Sequence, residues 1–351
     1  MQPSIALVMI ARNEQRCIER CLTSVAQYVD KMIVLDTGSS DNTVDIAKRC
    51  GAEVHSMCWP NSFAIARNRA LDLSDSDWNL VLDADEWLIS GGERLTCWAS
   101  SGSGLGVLQI QSDSEKTGSV AHWITRLLPK GVRYEGAIHE QPVSTLTRTR
   151  LPVLVGHDGY RDEQMRSKRG RNRELLKTAL SKQLDAYLLY QLGKDCEVYG
   201  DLAEASSTYA IALNHASPSE SYWADLSVRA IYCLGKLGRV EQALELASEV
   251  FNRLSDDVNF QFTLGDVCLD GAVANPADAL GHWLPLAEAA WRRCLELGER
   301  PSADGYVEGR GGYLAAYNLR VLHDGLGDHR QASYYAALAD SLRSSSAQFA
   351  V

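Results

Sequence analysis

The string WNLVLDADEW at residues 78–87 joins a continuous apolar run to two aspartates, Asp83 and Asp85. A short apolar run of this kind is typical of a strand buried on both faces of a parallel sheet. The aspartates would then lie at the carboxyl end of the strand, where open α/β sheets bind their ligands. Two carboxylates at this spacing can share a hard cation such as Mg²⁺ or Mn²⁺. The alternative is a pair of solvated loop acids.

The same alternation of strand and helix precedes this stretch. Apolar runs predict strands over 4–10, 31–36 and 53–57, and helical spacing predicts helices over 17–25, about 41–50 and 63–71. Strand patterns also predominate from residue 105 to about residue 160. The chain therefore begins with an α/β domain built on a mostly parallel, doubly wound sheet.

The pattern becomes all-helical after residue 160. Small residues recur there at the offsets of a tetratricopeptide unit, in which two antiparallel helices approach closely. They are Ala205, Ala243, Ala287 and Ala332. We expect four helical hairpins, because one or two could not bury a core alone. An ordinary helical bundle with small residues placed by chance is the alternative.

Composition excludes several classes of protein. The 351 residues carry 45 Asp and Glu against 35 Lys and Arg, which gives a net charge of −10. This balance argues against a protein that coats nucleic acid or an anionic membrane. No apolar run reaches the roughly 18 residues of a membrane span, and the N-terminus does not resemble a signal peptide. We expect a cytoplasmic protein with no membrane span and no nucleic-acid partner.

Several motifs follow the predicted strands in a fixed order: ARNE at 11–14, DTGSSD at 36–41, FAIARN at 63–68 and DAD at 83–85. Two later motifs, YEGAIHEQ at 134–141 and GHDGY at 156–160, extend the series. Together they resemble the family 2 glycosyltransferases of the GT-A fold. The chain looks most similar to a bacterial branch with tetratricopeptide-like C-terminal helices, which includes the sublancin-type peptide S-glycosyltransferases.

The resemblance implies roles for individual residues. Asn13 and Glu14 would line the nucleotide side, Asp36 would lie near the uracil and ribose, and Arg67 would approach the donor. The family often has a second acidic residue where this chain has Thr37, so the group that recognises the base stays open. Asp36 as a simple turn former is the alternative.

The same resemblance implies the metal and catalytic groups. Asp83 would contact the ribose or the metal, and Asp85 would bind the metal that bridges the pyrophosphate. His157 is placed where some GT-A enzymes supply a third metal ligand. An inverting displacement needs a base, for which Glu140 is the first candidate and His139 the second. The alternatives are a surface role for Glu140 and a purely structural role for His157.

The predicted function is a metal-dependent, inverting transfer of a hexose from a UDP-sugar. Glucose or N-acetylglucosamine would be the sugar, and a Ser, Thr or Cys side chain of a peptide or protein the acceptor. There are two alternatives. One is a transferase with a saccharide acceptor such as lipopolysaccharide core, and the other is a catalytically inactive scaffold. An exposed repeat edge near the C-terminus would allow a homodimer.

The motifs also divide the chain. The catalytic domain would occupy residues 1–160, and the tetratricopeptide-like domain residues 184–351. Between them, residues 161–183 predict a basic linker helix, because residues 161–177 contain seven basic residues and only three acidic ones. This helix would lie beside the anionic donor or receive an acidic acceptor. A solvated helix face is the alternative.

Overall fold

The computed structural model describes residues 3–114, 118–158, 170–301 and 305–348. The chain divides into two compact units, residues 1–175 and 176–351. The division falls within a helix, Arg171–Leu180, inside the predicted linker. Part of the linker's basic stretch lies outside the described residues, namely Arg161, Arg166, Lys168 and Arg169. In the described part of the chain, no helix is both long and apolar enough to cross a bilayer.

A mixed sheet forms the centre of the first unit. Its strands are β1 Ile5–Ala11, β2 Lys31–Asp36, β3 Glu53–Ser56, β4 Trp78–Val81, β5 Glu86–Ser90, β6 Leu105–Ser114, β7 Gly118–Pro129 and, later in the chain, Arg148–His157. Two short strands, β8 Arg133–Glu135 and β9 Gln141–Val143, form a separate hairpin. The last strand of the sheet, Arg148–His157, is therefore β10. The order across the sheet is β3-β2-β1-β4-β7-β6-β10-β5. β1 to β4 run parallel, which brings the carboxyl ends of β1, β2 and β4 to one edge.

Helices cover both faces of this sheet, which confirms the predicted α/β class. They are α1 Ile18–Val25, α2 Thr43–Arg49, α3 Phe63–Leu71 and α4 Gly92–Ser101. Successive side chains of a strand point to opposite faces. Leu7 and Met9 of β1 accordingly pack with Ile18 of α1, whereas Ala6 and Val8 pack in the core that includes α3. Burial on both faces explains why β1 reads as an unbroken apolar run.

Strand β5, helix α4 and the β8–β9 hairpin are not predicted by the sequence patterns above. β5 follows the two aspartates directly and pairs antiparallel with β10, so that the chain turns back at the sheet edge. Gly91 connects β5 to α4 with a φ of +83°. A Cβ at Gly91 would lie 2.2 Å from the carbonyl oxygen of Pro152, which makes glycine necessary at this close approach.

Helix α5, Arg171–Leu180, precedes four helix pairs in the second unit. The pairs are α6 Ala186–Val198 with α7 Leu202–His215, α8 Trp223–Lys236 with α9 Val240–Leu254, α10 Val258–Ala274 with α11 Leu284–Leu297, and α12 Tyr313–Gly325 with α13 His329–Gln348. The four predicted hairpins are thus present among the described residues. Small residues permit the close helix contacts: a Cβ at Gly193 would lie 2.3 Å from the ring of Tyr209.

A polar cluster joins the first two helix pairs. Arg229 of α8 donates from Nε to Oδ2 of Asp225 at 2.6 Å and from Nη1 to both oxygens of Glu197 at 2.9 and 3.0 Å. The hydroxyl of Tyr190 donates to Oδ2 of Asp225 at 2.5 Å, and that of Tyr209 to Oε2 of Glu197 at 2.7 Å. One guanidinium group therefore pairs with two carboxylates on different helices.

Candidate active site

The loops that follow β1 and β2 are tied together by hydrogen bonds. Asn13 adopts a left-handed conformation with φ +58°, and its Oδ1 accepts from the backbone NH of Ser40 at 2.8 Å. The backbone NH of Glu14 donates to Oγ1 of Thr43 at 2.7 Å. Asp36 accepts from the backbone NH groups at positions 38 and 39, so its carboxylate does form a turn. These bonds fix the sheet edge that the predicted nucleotide-side residues occupy.

An ion-pair network surrounds Asp83 at the end of β4. Arg67 of α3 donates from Nη2 to Oδ1 of Asp83 at 2.7 Å, and Arg126 of β7 donates from Nη2 to Oδ2 at 2.8 Å. Arg67 also pairs through Nε with Glu140, and Arg126 pairs through Nη2 with Glu86. Three carboxylates and two guanidinium groups thus meet at the point where the sequence places the donor.

Charge pairing dominates the ionisation of Asp83 and the two arginines. Burial alone would raise the pKa of Asp83, but the guanidinium groups of Arg67 and Arg126 hold it well below its ordinary value. Burial raises the pKa of Glu86, and the nearby Arg126 only partly offsets this. Both arginines have a raised pKa, since the surrounding carboxylates outweigh the effect of burial. Asp83 is therefore an ionised group at neutral pH.

The network leaves buried polar atoms without a hydrogen bond. Among the described residues these include Nη1 of Arg67, Nε of Arg126 and the hydroxyl of Tyr134. Each of these residues is 6% exposed or less. Buried polar groups in proteins are normally paired with protein, water or ligand. The arrangement around Asp83 therefore has unused hydrogen-bonding capacity.

The segment between β8 and β9 carries the two candidate bases. Asn68 of α3 exchanges two hydrogen bonds with the backbone of Tyr134, at 2.9 and 2.8 Å, and so anchors the hairpin to α3. His139 is left-handed with φ +51°. The side chain of Glu140 is 10% exposed and faces Arg67, which places it beside the Asp83 network.

Asp85 and His157 meet at the adjacent strand ends. Oδ2 of Asp85 lies 3.6 Å from Nε2 of His157, and their side chains are 11% and 18% exposed. On the other side of the ring, Nδ1 of His157 lies 3.0 Å from Oγ of Ser112. Burial lowers the pKa of His157, but the neighbouring Asp85 and other carboxylates raise it above its ordinary value overall. The sequence-predicted metal residues 85 and 157 are thus neighbours, whereas both oxygens of Asp83 bind guanidinium groups.

A second ion-pair group fixes the end of β10. Asp158 accepts from Arg16 at 2.8 and 3.0 Å and from Arg20 at 2.6 Å, and these arginines lower its pKa to about 2 despite partial burial. The guanidinium of Arg20 lies 3.5 Å from the ring centroid of Trp87. Gly156 faces the same ring, and a Cβ there would lie 2.4 Å from it. Gly159 and Tyr160, the last residues of the GHDGY motif, lie outside the described residues.

The sequence interpretation missed some members of these networks. They are Arg16, Arg20, Glu86, Ser112, Arg126 and Asp158. Arg126 gave one usable signal, a charged residue within an apolar strand. Its position coincides with a register shift between β6 and β7, and such bulges commonly redirect a side chain.

Comparison with known proteins adds family information. The family described as Glycosyl transferase family 2 matches residues 6–91. A TPR repeat-containing protein of Synechococcus elongatus is 31% identical over 309 residues, which cover 81% of this chain and 70% of that protein. The SPbeta prophage-derived glycosyltransferase SunS of Bacillus subtilis is 30% identical over 194 residues, covering 51% of this chain and 45% of SunS.

A solved structure gives a more limited match. Glucosyl-3-phosphoglycerate synthase of Mycobacterium tuberculosis, in complex with Mn²⁺, UDP and glucosyl-3-phosphoglycerate, is 26% identical with a TM-score of 0.28. The match covers 33% of this chain and 46% of the synthase, so the chain spans about half the length of both SunS and this enzyme. On its sequence relatives and its architecture, the chain belongs to the family 2 glycosyltransferases, with a GT-A domain followed by a helical region related to TPR-repeat proteins.

Proposed function

We propose that this chain transfers a hexose, glucose or N-acetylglucosamine, from a UDP-sugar to a Ser, Thr or Cys side chain of a peptide or protein. The reaction would invert the anomeric centre and use Mg²⁺ or Mn²⁺. The observation that carries the proposal is the strand-end arrangement: Asp85 faces His157 at 3.6 Å, beside the network that links Asp83, Arg67 and Glu140.

The paired side chains fit a divalent cation. Carboxylate and imidazole groups both bind Mn²⁺, and Mg²⁺ is usually held by one or two carboxylates together with water and substrate phosphates. In the described ranges, no group of three or more His, Cys, Asp and Glu side chains is arranged to hold a metal. Asp85 and His157 would therefore supply two ligands, with the diphosphate and water completing the shell. A bound cation would offset the negative charge that develops on the leaving nucleoside diphosphate.

The remaining residues would bind and orient the donor. Asn13, Glu14 and Asp36 lie in the hydrogen-bonded loops at the sheet edge, where they would line the nucleotide. Arg67 holds Asp83 in place, while its buried Nη1 has no hydrogen bond among the described residues. A donor oxygen at this point would satisfy that atom and orient the sugar.

Glu140 is the proposed base. Its Oε1 accepts from Arg67, which fixes the carboxylate in one orientation. The other carboxylate oxygen, Oε2, would take the proton of the acceptor as the new glycosidic bond forms. His139, the preceding residue, is the second candidate.

Replacement of Glu140 by Gln should slow sugar transfer by about 100- to 10,000-fold, the range of a general base. The amide still accepts from Arg67 but cannot take a proton, so UDP affinity should stay near the wild-type value. A thiol acceptor, with an ordinary pKa near 8.5, would place the loss at the low end of this range. Steady-state transfer rates and UDP titrations measure the two effects.

The matched control is Glu135→Gln, which alters an exposed glutamate on the same hairpin. Transfer by Glu140→Gln at the wild-type rate would exclude this residue as the base. A large loss of transfer rate in His139→Ala, together with a wild-type rate in Glu140→Gln, would assign the role of base to His139.

A peptide or protein acceptor is favoured by the second unit. Stacked helical hairpins commonly present an extended concave surface that binds peptides. The Synechococcus elongatus relative that matches most of this chain is itself named a TPR repeat-containing protein.

Release of free sugar from a panel of UDP- and GDP-sugars, with and without Mn²⁺, tests the proposed function. A glycosyltransferase of this kind should hydrolyse its own donor slowly when no acceptor is present. Hydrolysis of one UDP-sugar that depends on Mn²⁺ supports the proposal, and hydrolysis of none indicates a catalytically inactive scaffold.

A further inference from the structure

The ring of His157 is held from both sides. Its Nδ1 lies 3.0 Å from Oγ of Ser112, and its Nε2 lies 3.6 Å from Oδ2 of Asp85. Ser112 and His157 are register partners in the parallel pair of β6 and β10, so their side chains lie next to each other on one face of the sheet. Ser112 is only 6% exposed, which leaves little room for water to replace it.

The backbone that carries His157 is also restrained. The next residue, Asp158, is bound by Arg16 and Arg20, and its backbone NH donates to the carbonyl oxygen of Asp85 at 3.3 Å. On the other side, Gly156 lies against Trp87, its register partner in β5. Because the strand end is fixed, the ring nitrogen that carries the proton decides whether Nε2 of His157 can bind a cation.

We propose that Ser112 is a positioning residue that accepts a hydrogen bond from Nδ1–H of His157 and thereby leaves Nε2 as the nitrogen available to a divalent cation beside Asp85. This inference rests on the proposed function, since it assigns a supporting residue to the metal site proposed there. Partners of this kind fix the tautomer and orientation of metal-binding histidines.

The opposite tautomer would act against metal binding. A neutral ring protonated at Nε2 would direct that N–H at the Asp85 carboxylate, and no lone pair would face the space between the two side chains. Ser112 therefore favours the ring whose Nε2 can bind a cation together with Asp85. It disfavours the ring whose Nε2–H only donates to the Asp85 carboxylate.

Mn²⁺ titrations of the full chain with UDP present, followed by the electron paramagnetic resonance signal of free Mn²⁺, test the assignment. We expect Ser112→Ala to weaken Mn²⁺ binding by roughly 10- to 100-fold, as found for other residues that support metal ligands. Ser112→Thr keeps the hydroxyl and should retain affinity within about threefold of wild type on the same reasoning. Ser76→Ala, which removes the hydroxyl of another buried serine in this unit, should leave binding unchanged.

A second measurement needs no metal. Nitrogen-15 NMR of histidine-labelled chain at alkaline pH reports which ring nitrogen is protonated, and comparison with His157→Gln assigns the signal among the eight histidines. The fraction of His157 rings protonated at Nδ1 should be larger in wild type and Ser112→Thr than in Ser112→Ala, where the Asp85 carboxylate draws the proton to Nε2 with no competing acceptor at Nδ1.

The two readouts separate this inference from the proposed function. A wild-type ring with no fraction protonated at Nδ1, or a Ser112→Ala variant with both an unchanged tautomer ratio and unchanged Mn²⁺ affinity, would overturn the role of Ser112. Absence of Mn²⁺ binding by the wild type would overturn the proposed metal site, while the NMR result would still decide how Ser112 holds the ring.

Discussion

UDP binding by the Asp85→Ala variant should no longer respond to Mn²⁺. Asp85 supplies the proposed carboxylate ligand at the end of β4 and faces His157 across 3.6 Å. Its removal would leave the imidazole as the protein's own contact with the cation. We expect the Mn²⁺-dependent part of UDP affinity to fall by at least about 100-fold, since even residues that merely support metal ligands contribute roughly 10- to 100-fold.

Calorimetric titration with UDP, in Mn²⁺ and in EDTA, measures this loss. Asp72→Ala is the matched control, because Asp72 is an aspartate of the same unit that pairs with Arg133 on the surface at 2.8 Å. This control should bind UDP as the wild type does. Equal Mn²⁺-dependent affinity in Asp85→Ala and wild type would remove Asp85 from the metal site.

Replacement of Arg229 by Met should destabilise the helical unit by about 3 kcal/mol. Arg229 is the guanidinium group that pairs with both Glu197 and Asp225, and its removal takes away the cation to which both carboxylates are hydrogen-bonded. A side chain of similar length fills the space, so the cost arises mainly from the lost charge. For a unit of this size the melting temperature should fall by roughly 6–12 °C.

The effect should depend on pH in a defined direction. Burial alone would raise the pKa of Asp225, but Arg229 and other partners hold it well below its ordinary value. A lowered carboxylate pKa in the folded state stabilises above the unfolded value of about 4, and this contribution is lost as the pH falls. The difference between wild type and Arg229→Met should therefore be full at pH 7 and shrink below about pH 4.

Thermal unfolding followed by circular dichroism measures the change in stability. The control is Arg253→Met, which removes an exposed arginine from α9 in the same unit and should shift the melting temperature little. A melting temperature of Arg229→Met within experimental error of the wild type would show that the cluster contributes nothing to the helical unit.

Local sequence patterns identified those elements that have a recognisable apolar pattern. The strand at 31–36 and the helix at 63–71 have the predicted bounds, because each has a clear apolar pattern and a clear end. β5 escaped detection because its apolar run, Trp87 to Ile89, is only three residues long. The hairpin β8–β9 has three residues in each strand, which is too short for a periodic pattern.

The positions of the candidate residues in the fold could be predicted where those residues end strands, but not where they act in pairs. Asp83, Asp85 and His157 could be placed because strand ends are where such sheets bind ligands. The pairing of Arg16 with Asp158 joins residues 142 positions apart, and no spacing rule connects them. The contact of Arg126 with Asp83 similarly depends on the local register of β7.

The most direct test of a metal-dependent sugar transferase is the rate of UDP release from its donor sugar nucleotide by the purified full chain. Each UDP-sugar is incubated with Mn²⁺ or with EDTA, and Asp85→Ala is run in parallel. We predict that one UDP-hexose is hydrolysed in Mn²⁺, that EDTA stops the release, and that Asp85→Ala is inactive in both. Equal rates in Mn²⁺ and EDTA, or equal rates for wild type and Asp85→Ala, would contradict the account.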